Sequence, residues 1–148
     1  MTNTFIMSNR LAYVFDDVER GDVVVFYSDE HKELLVKRVI GVAGDKIDIK
    51  NGSVYVNGCL LEEDYIQGNT YSKDGEDVSY NVPEGTVFVM GDNREHSGDS
   101  RYFANPYVSI DSIKGEVFLN YSISSSNGIY AQLIHSEKAE FIGADFVR

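Results

Sequence analysis

The sequence predicts a mainly β protein built from antiparallel sheets, and three observations carry that expectation. Apolar or alternating runs recur along the chain but stay short, from Thr4–Met7 to Gly115–Tyr121, which is strand length rather than helix length. Asn51-Gly52 sits between two alternating runs, the strongest local signal for a two-residue hairpin. Glycine is frequent (13) and proline rare (2), with ten Tyr and eight Phe to fill an interior, a composition that suits a twisted sheet with many turns.

Taken in order, strands are expected at Thr4–Met7, Asp22–Tyr27, Leu34–Val42, Lys46–Lys50, Ser53–Val56, Thr86–Met90 and Gly115–Tyr121. A second Asn-Gly, Asn57-Gly58, marks another turn directly after the first hairpin. Gln67–Tyr80 is polar and unpatterned and reads as a surface loop without a catalytic part. Short helical turns are expected near Ser109–Ile113 and around Ile129–Lys138, and Ser122–Gly128 reads as a serine-rich linker. Residues 1–121 are therefore expected to form one β domain, with a linker and tail of no assigned role over 122–148.

Composition excludes several functions. A chain of 148 residues that is 43% hydrophobic is long and apolar enough to bury a core. Its net charge of −11, with no cluster of Lys or Arg to offset it, opposes binding to nucleic acid or anionic lipid. The single cysteine, Cys59, excludes an internal disulfide and is expected to be a small packed side chain. His31, His96 and His135 show no metal-ligand spacing, so neither metal nor cofactor is implied. The longest strongly apolar run, Val23–Tyr27, falls far short of the ~20 residues needed to cross a bilayer, and these residues are expected to be soluble.

Two segments concentrate chemistry. In Leu34–Asp45 a basic pair, Lys37-Arg38, interrupts a strand-like run. Side chains alternate along a strand, so the two cations face opposite ways. If Lys37 shares a face with Leu35 and Val39, burial lowers its pKa from ~10.4 and makes it a candidate general base. Taken alone, the segment also reads as a surface strand with two solvated cations. In Phe88–Tyr102 a buried-looking strand runs into Gly91-Asp92-Asn93-Arg94-Glu95-His96-Ser97-Gly98-Asp99-Ser100-Arg101. Such small polar groups suit a tightly hydrogen-bonded loop in which Asp99 pairs with Arg101; a polar turn joining two strands is the plainer reading. A Ser-His-Asp triad through His96 is disfavoured, because sequence neighbours rarely meet with triad geometry.

Together, Lys37-Arg38-Val39-Ile40-Gly41 with Gly44-Asp45, and the box Gly91-Asp92-Asn93 with Ser97, Asp99, Ser100 and Arg101, resemble the bacterial type I signal peptidase family. Arg10–Tyr13 and Arg20–Phe26 resemble its intervening segment, so the likeness spans about Met1 to Tyr121. The resemblance implies a signal-peptidase-like β fold and a serine endopeptidase with a Ser/Lys dyad that removes signal peptides from exported preproteins. It implies Lys37 as general base and Ser97 as the hydroxyl that aims it. Asp99 and Arg101 are implied as a supporting ion pair, with Gly91, Asp92 and Asn93 shaping the turn. Leu35 and Val36 are the expected lining of a groove that takes an extended peptide with small residues before the cut.

The family's nucleophile belongs to a Ser-Met motif after a membrane anchor. No Ser-Met occurs here, so truncation after the nucleophile and loss of activity are expected, the intact protein being anchored in the cytoplasmic membrane with this domain on the outer face. A self-cleaving repressor-type Ser/Lys peptidase and a non-catalytic peptide-binding β domain are the competing readings.

Overall fold

The structure is a computed structural model and describes residues 3–9, 17–124, 128–133 and 145–147. Its strands are β1 (Asn3–Asn9), β2 (Val23–Ser28), β3 (Glu33–Val42), β4 (Lys46–Lys50), β5 (Ser53–Val56), β6 (Cys59–Leu60), β7 (Val78–Asn81), β8 (Thr86–Met90), β9 (Val108–Ser109), β10 (Ile113–Ser124), β11 (Gly128–Leu133) and β12 (Asp145–Val147). There is no α-helix among the described residues, only a 3-10 turn at Ile110–Ser112 whose cap, Ser109, accepts a hydrogen bond from the Asp111 amide. All seven runs expected as strands are strands, and the fold is mainly β.

An eight-stranded antiparallel sheet runs in the order β12-β1-β10-β2-β3-β8-β9, with β11 also paired to β10. A smaller sheet runs β6-β5-β4-β7. Asn51 and Gly52 have φ of 51° and 75°, and Asn57 and Gly58 have 52° and 84°. Positive φ at both central residues is what a type I′ hairpin turn requires, and Asn and Gly adopt it most readily.

The core lies on both faces of the large sheet. Alternation along β8 sends Phe88 and Met90 to one face, with Ile40, and there Ile47, Ile49, Val54, Val56 and Val82 of the small sheet and its flank cover them. It sends Val87 and Val89 to the other, with Val24, Phe26, Val39 and Val108. Full burial of one such side chain contributes about 1.5–3 kcal/mol, so the first cluster holds the two sheets together while the second packs the opposite face of the large sheet. The switch between faces on β3 is a bulge: the register with β8 shifts between Val39 and Gly41. A side chain on Gly41 would start 2.7 Å from Ile47 Cδ1, so glycine lets the small sheet approach.

Four expectations are corrected. Cys59 is exposed rather than packed, because it opens the two-residue edge strand β6 beside a turn. Ser122–Ser124 continue β10 instead of starting a linker, and residues 129–133 form β11 rather than a helical turn, paired to β10 from Leu119↔Leu133 to Ser124↔Gly128; the rest of the expected turn, 134–138, lies outside the described residues. The segment Gln67–Tyr80 is not merely a loop: Val78–Asn81 is β7 on β4, and Thr70 is buried.

Candidate active site

Strand register builds the site. β8 pairs with β3 through Val89↔Val39 and Met90↔Arg38, so Gly91, the next residue, emerges beside Lys37. The pairing with β2 sets Lys37 opposite Val24 and Arg38 opposite Val23. Lys37 lies on the face of Leu35 and Val39, which pack in the cluster with Val24 and Phe26. Arg38 lies on the other face, its guanidinium 3.8 Å from the centre of the Tyr65 ring. Val36 also faces away from Lys37 and packs against Val23 and Val25, so the two residues expected to line a groove point apart.

The half-buried Lys37 Nζ donates a hydrogen bond to Ser97 Oγ at 2.9 Å. Burial pushes the Lys37 pKa below its ordinary value of 10.5, since a low-dielectric surrounding disfavours the ammonium form. Asp99 and Glu33 oppose that shift and Arg101 adds to it.

The loop that carries Ser97 is held from within. Asp99 is fully buried and accepts from the Gly91 amide at 3.1 Å, the Arg101 amide at 3.2 Å, and Arg101 Nε and Nη2 at 2.8 Å each. Arg101 also donates to the carbonyls of Tyr71 at 3.0 Å and Arg94 at 2.8 Å. Ser100 closes the loop onto β8: its Oγ accepts from the Val89 amide at 2.9 Å and its amide donates back to the Val89 carbonyl at 3.1 Å. Asp92 takes a bidentate pair of bonds from Arg38 Nε and Nη2 at 2.9 and 2.8 Å. Asn93 forms a parallel bridge with Gln67.

Two residues that brace this loop, Arg94 within it and Glu63 outside it, were given no role by the sequence pattern. Arg94 is buried and forms a two-pronged ion pair with Glu63, one prong 2.8 Å long, while also donating to Thr70 Oγ1 at 2.8 Å and the Gly91 carbonyl at 3.0 Å. Only the unusual density of charge in the box hinted at Arg94, and nothing hinted at Glu63. His96 is exposed and faces Asn93, 3.3 Å from its side-chain oxygen, so no triad forms through it. Among the described residues no group of three His, Cys, Asp or Glu side chains is arranged to hold a metal ion.

The site thus defines an antiparallel β protein with a desolvated lysine amine beside a serine hydroxyl, on a loop locked by ion pairs. Residues 1–122 match the profile of the family described as Signal peptidase, peptidase S26. The chain is 38% identical over 131 residues to signal peptidase I of Bacillus caldolyticus, an alignment spanning 81% of this chain and 70% of that protein. It is 37% identical over 128 residues to signal peptidase IB of Staphylococcus aureus strain Mu50, spanning 76% of this chain but only 65% of that protein. The fold matches the crystal structure of a signal peptidase I from Enterococcus faecalis V583 with a TM-score of 0.57 and 32% identity, covering 68% of this chain and 97% of that one. The chain belongs to the signal peptidase family.

Proposed function

We propose that this chain supplies the general base of a Ser/Lys endopeptidase that removes signal peptides from exported preproteins. The observation that carries the reading is the Lys37 Nζ–Ser97 Oγ bond of 2.9 Å at a half-buried amine whose pKa burial lowers. A neutral amine has two N–H donors and one lone pair. Committing one N–H to Ser97 turns the lone pair away from the loop, where it accepts the proton of an attacking serine, returns it to the leaving amine and then activates the water that clears the acyl-enzyme. Asp99 and Arg101 support this geometry, and Gly91, Asp92 and Asn93 shape the turn that presents Ser97.

The substrate binds as an added strand. β2 pairs with β3 along Glu33–Arg38, whereas β8 on the opposite side pairs only with Arg38–Val42. Among the described residues that leaves the backbone edge of Glu33–Val36 open on the β8 side, leading directly to Lys37. An extended peptide completes such an edge with main-chain hydrogen bonds, and small side chains before the cut let it lie close. Leu35 faces the peptide on the lysine side; Val36 contributes its backbone edge.

The nucleophile in this reading is a serine of a Ser-Met segment, a pair that residues 1–148 lack, so these residues alone are inactive. That segment belongs to a membrane-anchored part that sets the domain on the outer face of the cytoplasmic membrane; no helix among the described residues is long and apolar enough to cross one. A second reading, with Ser97 itself as nucleophile, is suggested by the same bond but is sterically poor. A Cβ on Gly91 would overlap Ser97 Oγ, so that oxygen is pressed against the Gly91 backbone, which closes that side of it to an incoming carbonyl carbon.

The test is processing of a preprotein with an Ala-x-Ala cleavage site in detergent. Residues 1–148 alone should not cut, the chain extended by an upstream Ser-Met segment should, and Lys37→Ala should abolish that activity. Cutting by residues 1–148 that is lost in Ser97→Ala would establish the second reading; activity surviving Lys37→Ala would overturn both.

A further inference from the structure

The Gly91 peptide is the wall against which Ser97 rests. A Cβ built on Gly91 would overlap Ser97 Oγ, lie 2.5 Å from Ser97 Cβ and come within 3.6 Å of Lys37 Nζ. A displacement of this peptide therefore passes directly to the hydroxyl and from it to the amine. Both backbone polar groups of Gly91 are held: Asp99 takes the amide at 3.1 Å, and Arg94 Nε gives a hydrogen bond to the carbonyl at 3.0 Å. The first anchor lies inside the loop. The second does not end there.

Arg94 is held by Glu63 and by Thr70, which lie in the segment that joins β6 to β7 within the small sheet. Both partners of the ion pair are almost wholly buried, with side-chain exposures of 0% and 3%. The first part of that segment, residues 61–70, is itself tied at both ends. The Leu61 amide bonds the Val54 carbonyl at 2.9 Å and the Thr70 amide bonds the Gly52 carbonyl at 3.0 Å, tying it to the β4–β5 hairpin. Between these ties, Gln67 exchanges backbone bonds with Asp92 and Arg94 at 2.9 and 3.0 Å. The Tyr65 hydroxyl donates to Glu63 at 2.9 Å while its ring lies under Arg38. The small sheet thus reaches the Gly91 carbonyl through one continuous set of polar contacts, and from there the packing of Ser97 against Gly91 leads to the lysine.

We propose that Glu63 and Arg94 are positioning residues for the Lys37–Ser97 pair, acting by holding the Gly91 carbonyl so that the small sheet sets the geometry of the base. This rests on the reading of Lys37 as the general base. Neither residue reaches the reacting atoms. Arg94 acts through Gly91, and Glu63 acts through Arg94 by keeping its guanidinium in the one orientation that serves both Gly91 and Thr70. Thr70 is the weaker third member, since it takes a single bond from Arg94 Nη1.

The pair can be tested without confusing position with stability. A single change such as Glu63→Gln strands a buried guanidinium and can unfold the chain for that reason alone. The double variant Glu63→Leu with Arg94→Met removes both charges together, a replacement that proteins often tolerate with little loss of stability, yet it leaves the Gly91 carbonyl unheld. Thr70→Val is the milder companion.

Two readouts apply. In residues 1–148 the reaction of Lys37 with trinitrobenzenesulfonate, followed against pH by peptide mass spectrometry, reports the titration of the amine whether or not the chain is active. Three charged neighbours bear on it: Glu33 on its own strand, and Asp99 and Arg101 on the facing loop. In the chain extended with a Ser-Met segment, preprotein processing gives kcat and KM. Positioning predicts an unchanged melting temperature for the double variant, a Lys37 titration moved toward the ordinary lysine value as water reaches the amine, and a kcat lowered by about 100-fold, the scale of an ångström-sized misplacement, with KM within about threefold. Thr70→Val should move each readout the same way by a smaller amount. A folded double variant with wild-type Lys37 titration and wild-type kcat would overturn the proposal and leave the pair as a structural brace. Should the extended wild-type chain fail to process any preprotein, the functional reading falls, while the titration still decides whether Glu63 and Arg94 position the amine.

Discussion

Arg101→Ala should be the most destabilising single change within the box, and its magnitude follows from the surroundings of Asp99. The side chains of Asp99 and Arg101 are 0% and 1% exposed. Removing the guanidinium takes two of the four bonds to the carboxylate and leaves it with the amides of Gly91 and Arg101. It also strips a donor from the carbonyls of Tyr71 and Arg94. Breaking a buried ion pair by deleting one partner costs about 3–5 kcal/mol, which in a chain of this size lowers the melting temperature by roughly 6–20 °C at about 2–4 °C per kcal/mol. Thermal and denaturant melts of residues 1–148 measure this directly. Asp99→Ala should lose a similar amount, and the double variant should be less destabilised than the sum by about 1–3 kcal/mol, because each single change strands a charge that the double does not. A melting temperature within about 2 °C of wild type, or strict additivity, would refute the argument. Unchanged melting with abolished turnover in the serine-complete chain would instead move Arg101 to the reacting atoms.

Gly91→Ala pushes a methyl group into Ser97 Oγ and should lower kcat by about 100-fold while the fold survives; preprotein processing within about threefold of wild type would show that the loop yields. In the proposed reaction turnover requires the neutral Lys37 amine, so the acid limb of kcat/KM should lie below pH 10.5, and Asp99→Asn, which removes the main opposing influence, should move it further toward acid; a limb at the ordinary lysine value would contradict a desolvated base. The lowered Lys37 pKa also has a sign for stability. Between the folded value and 10.5 the unfolded chain binds more protons, so stability rises with pH across that window. Lys37→Met should therefore stabilise residues 1–148 most near neutral pH, with the difference from wild type shrinking as pH approaches 10.5; a difference independent of pH in denaturant melts would contradict this. In the core, Ile47→Ala should lose about 2–5 kcal/mol, read as a lower denaturant midpoint, because Ile47 is fully buried where the small sheet meets Gly41.

What was legible in the sequence was local. The alternating runs of β2, β3, β4 and β5 and the Asn51-Gly52 turn state their own conformation, and the two motifs name Lys37 and the Ser97 loop. The pairing of β11 with β10 was not legible, because a short mixed segment such as Gly128–Leu133 adopts strand geometry when a long neighbour offers an edge, whatever its own pattern. β6 and β9 are two residues each, too short for any periodicity. Glu63 illustrates the sharper limit. It lies 31 positions from Arg94 in a segment with no alternation, and only the folded course of the chain shows that the two meet. Gln67–Thr70 read as an ordinary polar loop for the same reason: its hydrogen-bond partners include the backbone of the Asp92–Arg94 turn, the Arg94 side chain and the Gly52 carbonyl, which no composition announces.

The abundance of buried charge in the box has a physical reason that bears on the proposed chemistry. From Gly91 to Arg101 there is no aliphatic or aromatic side chain apart from the exposed His96, so this loop cannot be fixed by apolar packing. A loop beside a base must nonetheless hold one hydroxyl to within a fraction of an ångström. Directional bonds achieve that where dispersion cannot: Asp92 to Arg38, Asp99 to Arg101 and Arg94 to Glu63 each tie a loop residue through a charged side chain. Such pairs add little net stability over well-packed apolar groups of the same size, so their presence here is better explained by orientation than by stability. An apolar redesign of the Asp99–Arg101 pair that kept the melting temperature would then still lose turnover, whereas a redesign that kept both would show that the loop needs only to be filled.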